Sequence, residues 1–207
     1  MKARAKRLWP DSTIVCVGTG PSLTQADVDF CRGKARVIAV NDAYRLAPWA
    51  DVLYACDGRW WDWHKGVKEF RGLKFGMTIR KHLHADVIRL RNAGSKGLCL
   101  ESDGLCTGRN SGYQAINLAV HLGAARILLL GYDMTRDRNG RSHFFGEHPR
   151  QGLPSPYPAF RQMFPTLVKP LAQLGIEVIN CTQATALETF PKQPLDEALR
   201  MPLEVAS

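Results

Sequence analysis

The feature that most constrains the fold is a repeated unit: a short apolar, β-branched run, an abrupt ending in small or polar residues, then a longer stretch of helical periodicity. Residues 13–17 (Thr-Ile-Val-Cys-Val) lead into Gly18, residues 36–40 end at Asn41 and Asp42, and residues 51–56 end at Asp57. Residues 126–130 end at Gly131, Tyr132 and Asp133, and residues 176–180 run into Cys181, Thr182 and Gln183. Strands alternating with helices predict an α/β protein with a largely parallel sheet. In an open parallel sheet ligands bind outside the carboxyl ends of the strands, so these endings are where chemistry is expected.

A chain of 207 residues fits one core, expected over residues 12–190 between a basic, solvated N-terminal arm (1–11) and a loosely attached tail (191–207). Hydrophobic residues make up 45% and charged residues 23%, which excludes wholesale disorder. The net charge of +9 favours an anionic partner, without choosing among a nucleic acid, a nucleotide, a phosphosugar and an acidic lipid. Six cysteines without a C-x-x-C pair exclude a zinc ribbon and a thioredoxin-type motif, and a reduced, cytoplasmic protein is the simpler expectation. The apolar run of residues 14–17 is too short for a signal core, and no run approaches the length of a membrane span.

Helices are predicted over residues 107–122, closed by Gly123, and over 157–174, where Pro158, Pro165 and Pro170 intervene. Residues 79–106 give no clear periodicity. In the aromatic run at 60–63, helical spacing turns Trp60 and Trp63 inward and leaves Trp61 more exposed.

Gly18, Thr19, Gly20, Pro21 and Ser22 form a turn between the first strand and a helix, where glycines admit a phosphate and a helix start favours an anion. Pro21 suits a first helical turn, and Ser22 or Thr24 can cap it. A plain glycine turn has the same spacing, but the strand-end position favours phosphate binding. Leu23 replaces the third glycine of the dinucleotide fingerprint, and no Gly-Lys-Ser/Thr follows, so neither that motif nor a P-loop is present.

Asn41, Asp42 and Asp57 can bind a ribose, a base edge or a metal, or can serve as caps and Asx turns. Thr107, Ser111 and Gly112 open the long helix as a second anion site, unless the glycines there serve close packing. Residues 134–150 carry Arg136, Arg138, Arg141 and Arg150 with His143 and His148. Imidazole suits acid–base work near neutrality, and arginine forks hold phosphate or carboxylate; a solvated basic loop is the alternative. The two histidines do not have the i, i+4 spacing of a helical metal pair, so no zinc is assigned. No G-x-S-x-G elbow is present, which argues against a hydrolase of that kind.

Taken in order, Gly18-Thr-Gly-Pro-Ser-Leu23, Val40-Asn41-Asp42, Thr107-Gly-Arg-Asn-Ser-Gly112 and Leu130-Gly131-Tyr-Asp133 resemble the superfamily of family-42 sialyltransferases and MptE-like 6-hydroxymethylpterin pyrophosphokinases, with small phage-encoded relatives closest in size. The resemblance implies a single-domain Rossmann-like three-layer sandwich. It implies that Gly18 to Ser22 with Asn41, Ser111 and Gly112 hold the nucleotide of a donor, and that His143 or His148 activates an acceptor hydroxyl without a metal. Tyrosines that contact the donor phosphate in those sialyltransferases have no clear counterpart here.

The expected function is therefore a nucleotide-dependent, glycosyltransferase-like transferase with a nucleotide or nucleotide-sugar partner, using Gly131, Asp133 and Arg141 beside the strand ends. A pyrophosphokinase using ATP and magnesium at Asp42, Asp57 and Asp133 is the first alternative. A non-enzymatic nucleic-acid-binding or phage assembly protein on the same fold is the second.

Overall fold

The computed structural model describes residues 3–77, 84–147 and 155–203. Eight strands form one all-parallel sheet: β1 (Ser12–Val17), β2 (Arg36–Val40), β3 (Val52–Tyr54), β4 (Leu73–Met77), β5 (Val87–Gly94), β6 (Gly104–Cys106), β7 (Ala124–Leu130) and β8 (Glu177–Asn180). Their order is β6-β5-β4-β3-β2-β1-β7-β8. The chain steps outward from β1 to β6, then returns across the sheet to place β7 on the other side of β1. That reversal makes a topological switch point at β1.

Both sheet faces are covered, so strands such as β1 and β7 read as continuous apolar runs rather than alternating ones. The pleat still divides them. Ile14 and Cys16 of β1 point to one core with Ile127 and Leu129 of β7, while Val15 and Val17 point to the other with Leu128 and Leu130. The first face is covered by α3 (Ser111–Leu122), through Ala115, Ile116 and Ala119, and by α5 (Pro165–Gln173), through Leu167 and Leu171. The second is covered by α1 (Gln25–Cys31), α2 (Gly58–Trp63) and α6 (Leu195–Arg200). This is the three-layer α/β arrangement expected from the alternation of elements.

Local chemistry sets the helix starts. Thr24 caps α1 in a capping box with Asp27, Asp57 accepts from the Arg59 amide at α2, and Asn110 accepts from the Tyr113 amide at α3. The helix expected over 157–174 is two: α4 (Tyr157–Arg161) and α5, which restarts at Pro165. In α2, Trp60 and Trp61 are buried and Trp63 is half-buried, the reverse of the spacing argument for the last two. Trp61 is drawn in because its indole N–H donates to the Ala55 carbonyl at 2.9 Å.

Neither end of the chain is loose among the described residues. Ala5 donates to the Ser102 carbonyl and Trp9 to the Leu122 carbonyl. After Pro191, α6 buries Leu195 and Ala198, and the buried Arg126 guanidinium bonds the Met201 and Pro202 carbonyls. All six cysteines are free, and burial pushes Cys16 up to about 12, as befits a small core residue. No described helix is long and apolar enough to cross a membrane.

Candidate active site

A cavity of about 680 Å3 opens at the carboxyl ends of β1, β2, β3 and β7, at the switch point, and is of the size that holds a small-molecule ligand. Gly18, Thr19 and Gly20 line it from the turn after β1. Asn41 and Asp42 line it after β2, Asp57 after β3, Ser111 and Gly112 from the first turn of α3, and Gly131 after β7.

The glycine turn is held against β7. The amides of Gly18 and Gly20 donate to the Leu130 and Gly131 carbonyls at 2.7 and 2.8 Å. These two N–H groups therefore fasten the turn and do not present themselves to a phosphate. A Cβ on Gly20 would stand 1.8 Å from an Asp133 carboxylate oxygen, so glycine is required for close approach rather than for anion contact. Asp133 is buried beneath the turn, accepts from the Ser22 amide at 2.9 Å, and does not line the cavity. Burial raises its pKa, with the Ser22 hydrogen bond opposing. Pro21 and Ser22 also lie outside the lining. Because α1 begins at Gln25 with Thr24 as its cap, neither residue belongs to a helix start.

On the opposite wall, Asn41 adopts a left-handed backbone, φ 50°, which asparagine tolerates better than most residues. Asp42 is buried and occupied: it pairs with Arg45 at 2.8 Å and accepts from the Trp60 indole at 2.9 Å. Asp57 caps α2 and pairs with Arg59 at 3.0 Å. Among the described residues no group of three or more His, Cys, Asp or Glu gathers as a metal site would.

The start of α3 presents its first turn to the cavity. Ser111 donates to the Cys56 thiol at 3.2 Å, and Gly112 leaves room for Tyr132, whose ring a Cβ would approach to 2.9 Å. Thr107 does not line the cavity; its carbonyl accepts from Gln114. Arg109 does line it, in a left-handed conformation of φ 62°, and forms no ion pair among the described residues.

His143 arrives from the loop after β7. Its Nδ1 lies 3.0 Å from the Thr19 hydroxyl, the Phe144 amide donates to the Thr19 carbonyl, and the imidazole stacks on Phe145 with centroids 5.0 Å apart. A two-way bridge between His143 and Gly146 holds the segment in place. The arginines of this loop serve the loop itself: Arg141 pairs with Asp137 at 2.7 Å and Arg136 with Glu147 at 2.9 Å. Arg141 is exposed and does not line the cavity. Hydrogen bonding from Ser142 holds the Glu147 carboxyl below its usual range, with Arg136 and His143 adding to the effect. His148 and Arg150 lie outside the described residues.

The remaining wall is aromatic, built from Trp63, Phe145, Tyr157 and Phe160. Tyr157 also donates to the Ser142 carbonyl at 2.9 Å, tying α4 to the His143 loop. Arg109 lay within a motif visible in the sequence. Tyr157 and Phe160 gave no signal there, because only the return of the chain through α4 brings them to the strand ends.

No family model matches the chain, and no curated protein matches it by sequence. Among solved structures it is similar to the sialyltransferase CstII from Campylobacter jejuni, determined in complex with a substrate analogue, cytidine-5'-monophosphate. The TM-score is 0.59 at 14% identity, over 90% of this chain and 87% of that one. At this identity the likeness is one of fold, and it agrees with a Rossmann-like α/β sandwich.

Proposed function

We propose that the chain transfers a glycosyl group from a nucleotide-sugar, with His143 as general base. The observation that carries this reading is the imidazole seated against Thr19 in a cavity at the switch point of an all-parallel sheet. The nucleotide bound by the sialyltransferase of like fold supports a nucleotide as the leaving group.

In this reading the nucleotide lies between Asn41 and the first turn of α3. The unsatisfied amides of that turn and the Arg109 guanidinium face its phosphate. The acceptor lies against the aromatic wall, beside His143. With Nδ1–H donating to the Thr19 hydroxyl, Nε2 is left as the basic nitrogen. It takes the proton of an acceptor hydroxyl as that oxygen bonds to the anomeric carbon and the bond from that carbon to the phosphate oxygen breaks. Negative charge then gathers on the departing phosphate, where Arg109 and the helix amides oppose it.

Calorimetry against CMP, UDP, GDP and ATP tests the nucleotide, and His143→Gln tests the base. Binding of at least one nucleotide is expected, with the variant keeping that affinity and losing about a hundred- to ten-thousandfold in turnover. No binding to any of the four, or full turnover in the variant, overturns the reading.

A further inference from the structure

We infer that the end of the sheet opposite the cavity docks on an anionic lipid surface. Because all eight strands are parallel, their N-terminal ends gather at one end of the molecule, away from the strand ends that form the cavity. The segments entering β1, β2 and β4 carry Arg7, Arg32, Lys34, Arg36 and Arg71 there. Three of these cations lie over half-buried rings: Arg36 over Trp9 at 5.2 Å, Arg32 over Trp49 at 5.5 Å, and Lys34 over Phe30 at 3.1 Å.

The acids at the same strand starts are already neutralised. Asp11 pairs with Arg7, Asp51 with Arg36, Asp86 with Lys74, and Glu177 with Arg126. Arg32, Lys34 and Arg71 form no ion pair among the described residues. Glu101 and Asp103, before β6, share Arg91. Glu69, two residues before Arg71, is offset by the adjacent Lys68, and Asp29, at the end of α1, accepts from Gln25. The surplus at this end is therefore positive, and the rings beneath the cations hold it in fixed positions.

Two observations favour lipid over nucleic acid. The ring faces are covered by cations, so they cannot stack bases as a single-strand platform does. Leu8 and Leu73 stand among the basic groups with 40% and 37% of their surface exposed. Aliphatic groups beside lysine and arginine suit the headgroup boundary of an anionic bilayer, where each basic residue contributes roughly fivefold to binding. Docking by this end leaves the cavity open on the far side.

Co-sedimentation of the full chain with vesicles tests the inference. Vesicles of equal parts phosphatidylcholine and phosphatidylserine are expected to bind it at low salt and release it at high salt, whereas pure phosphatidylcholine vesicles do not bind it. Arg32→Glu with Lys34→Glu is expected to weaken binding at least about tenfold. Leu8→Ser, an exposed site with little bearing on folding, is expected to weaken it by a smaller factor. No binding to the mixed vesicles, equal binding to both compositions, or unchanged binding in both variants overturns the inference. So does displacement from the vesicles by single-stranded DNA with tighter binding to the DNA, which assigns this end to nucleic acid.

Discussion

The Thr19 hydroxyl and His143 Nδ1 stand 3.0 Å apart although 124 residues separate them in the chain. The contact joins the turn after β1 to the loop after β7, the two strands that flank the switch point. It fixes the position of the imidazole, and with Nδ1–H as the donor in the proposed reading it leaves Nε2 as the base.

Removing that contact without changing shape is the first test. Thr19→Val is expected to lower turnover about two- to tenfold, the equivalent of one hydrogen bond of roughly 0.5–1.5 kcal/mol. Nucleotide affinity should stay within about twofold, because the hydroxyl orients the base and does not bind phosphate in this account. Steady-state kinetics with calorimetry on the same variant separate the two effects. An equal loss of affinity and turnover would assign Thr19 to the nucleotide.

Gly20→Ala sets a Cβ 1.8 Å from the Asp133 carboxylate and 2.7 Å from the Gly131 carbonyl. Backbone and a buried carboxylate cannot give way cheaply, so destabilisation of about 1–3 kcal/mol is expected, together with weaker nucleotide binding. Gly33→Ala provides the comparison: nothing lies within 4 Å of its Cβ, although its φ of 74° carries strain of its own. Urea denaturation should therefore show loss in both, with loss of nucleotide binding confined to Gly20→Ala.

These two residues also show what the sequence could and could not reveal. That the turn at 18–20 and His143 would lie at the strand-end cavity was legible, because strand endings in parallel sheets are where ligand sites are expected. The purpose of the glycines was not: their amides bond to β7, a use visible only once β1 and β7 are paired. Asp133, Pro21, Ser22, Thr107 and Arg141 were plausible by position, yet none lines the cavity: Asp133 is buried under the turn and Arg141 is turned outward to Asp137. Apolar runs revealed β1, β2, β3, β7 and β8. They hid β4, β5 and β6, because β5 is largely half-buried or exposed and polar, and β6 is three residues long.

His121 supplies a pH test of the fold. Burial lowers its pKa below the ordinary 6.5, and the ring bonds the Gly104 carbonyl at 2.9 Å. Above pH 6.5 both folded and unfolded chains hold a neutral imidazole, and the group's stabilising contribution is complete. As pH falls below that value the unfolded chain binds the proton first, and stability drops until pH passes through the lowered folded value. His121→Gln should flatten the fall between neutral and mildly acidic pH in urea denaturation. Equal slopes in the two proteins would contradict this.

The location of the nucleotide is the claim on which the account rests, and an amide NMR titration with CMP measures it directly. The expected result is shifts clustered at Thr19, Asn41, Ser111, Gly112 and His143. Shifts confined to the second cavity, at Asp27, Gln183 and Lys192, or no shifts at all, would contradict the account.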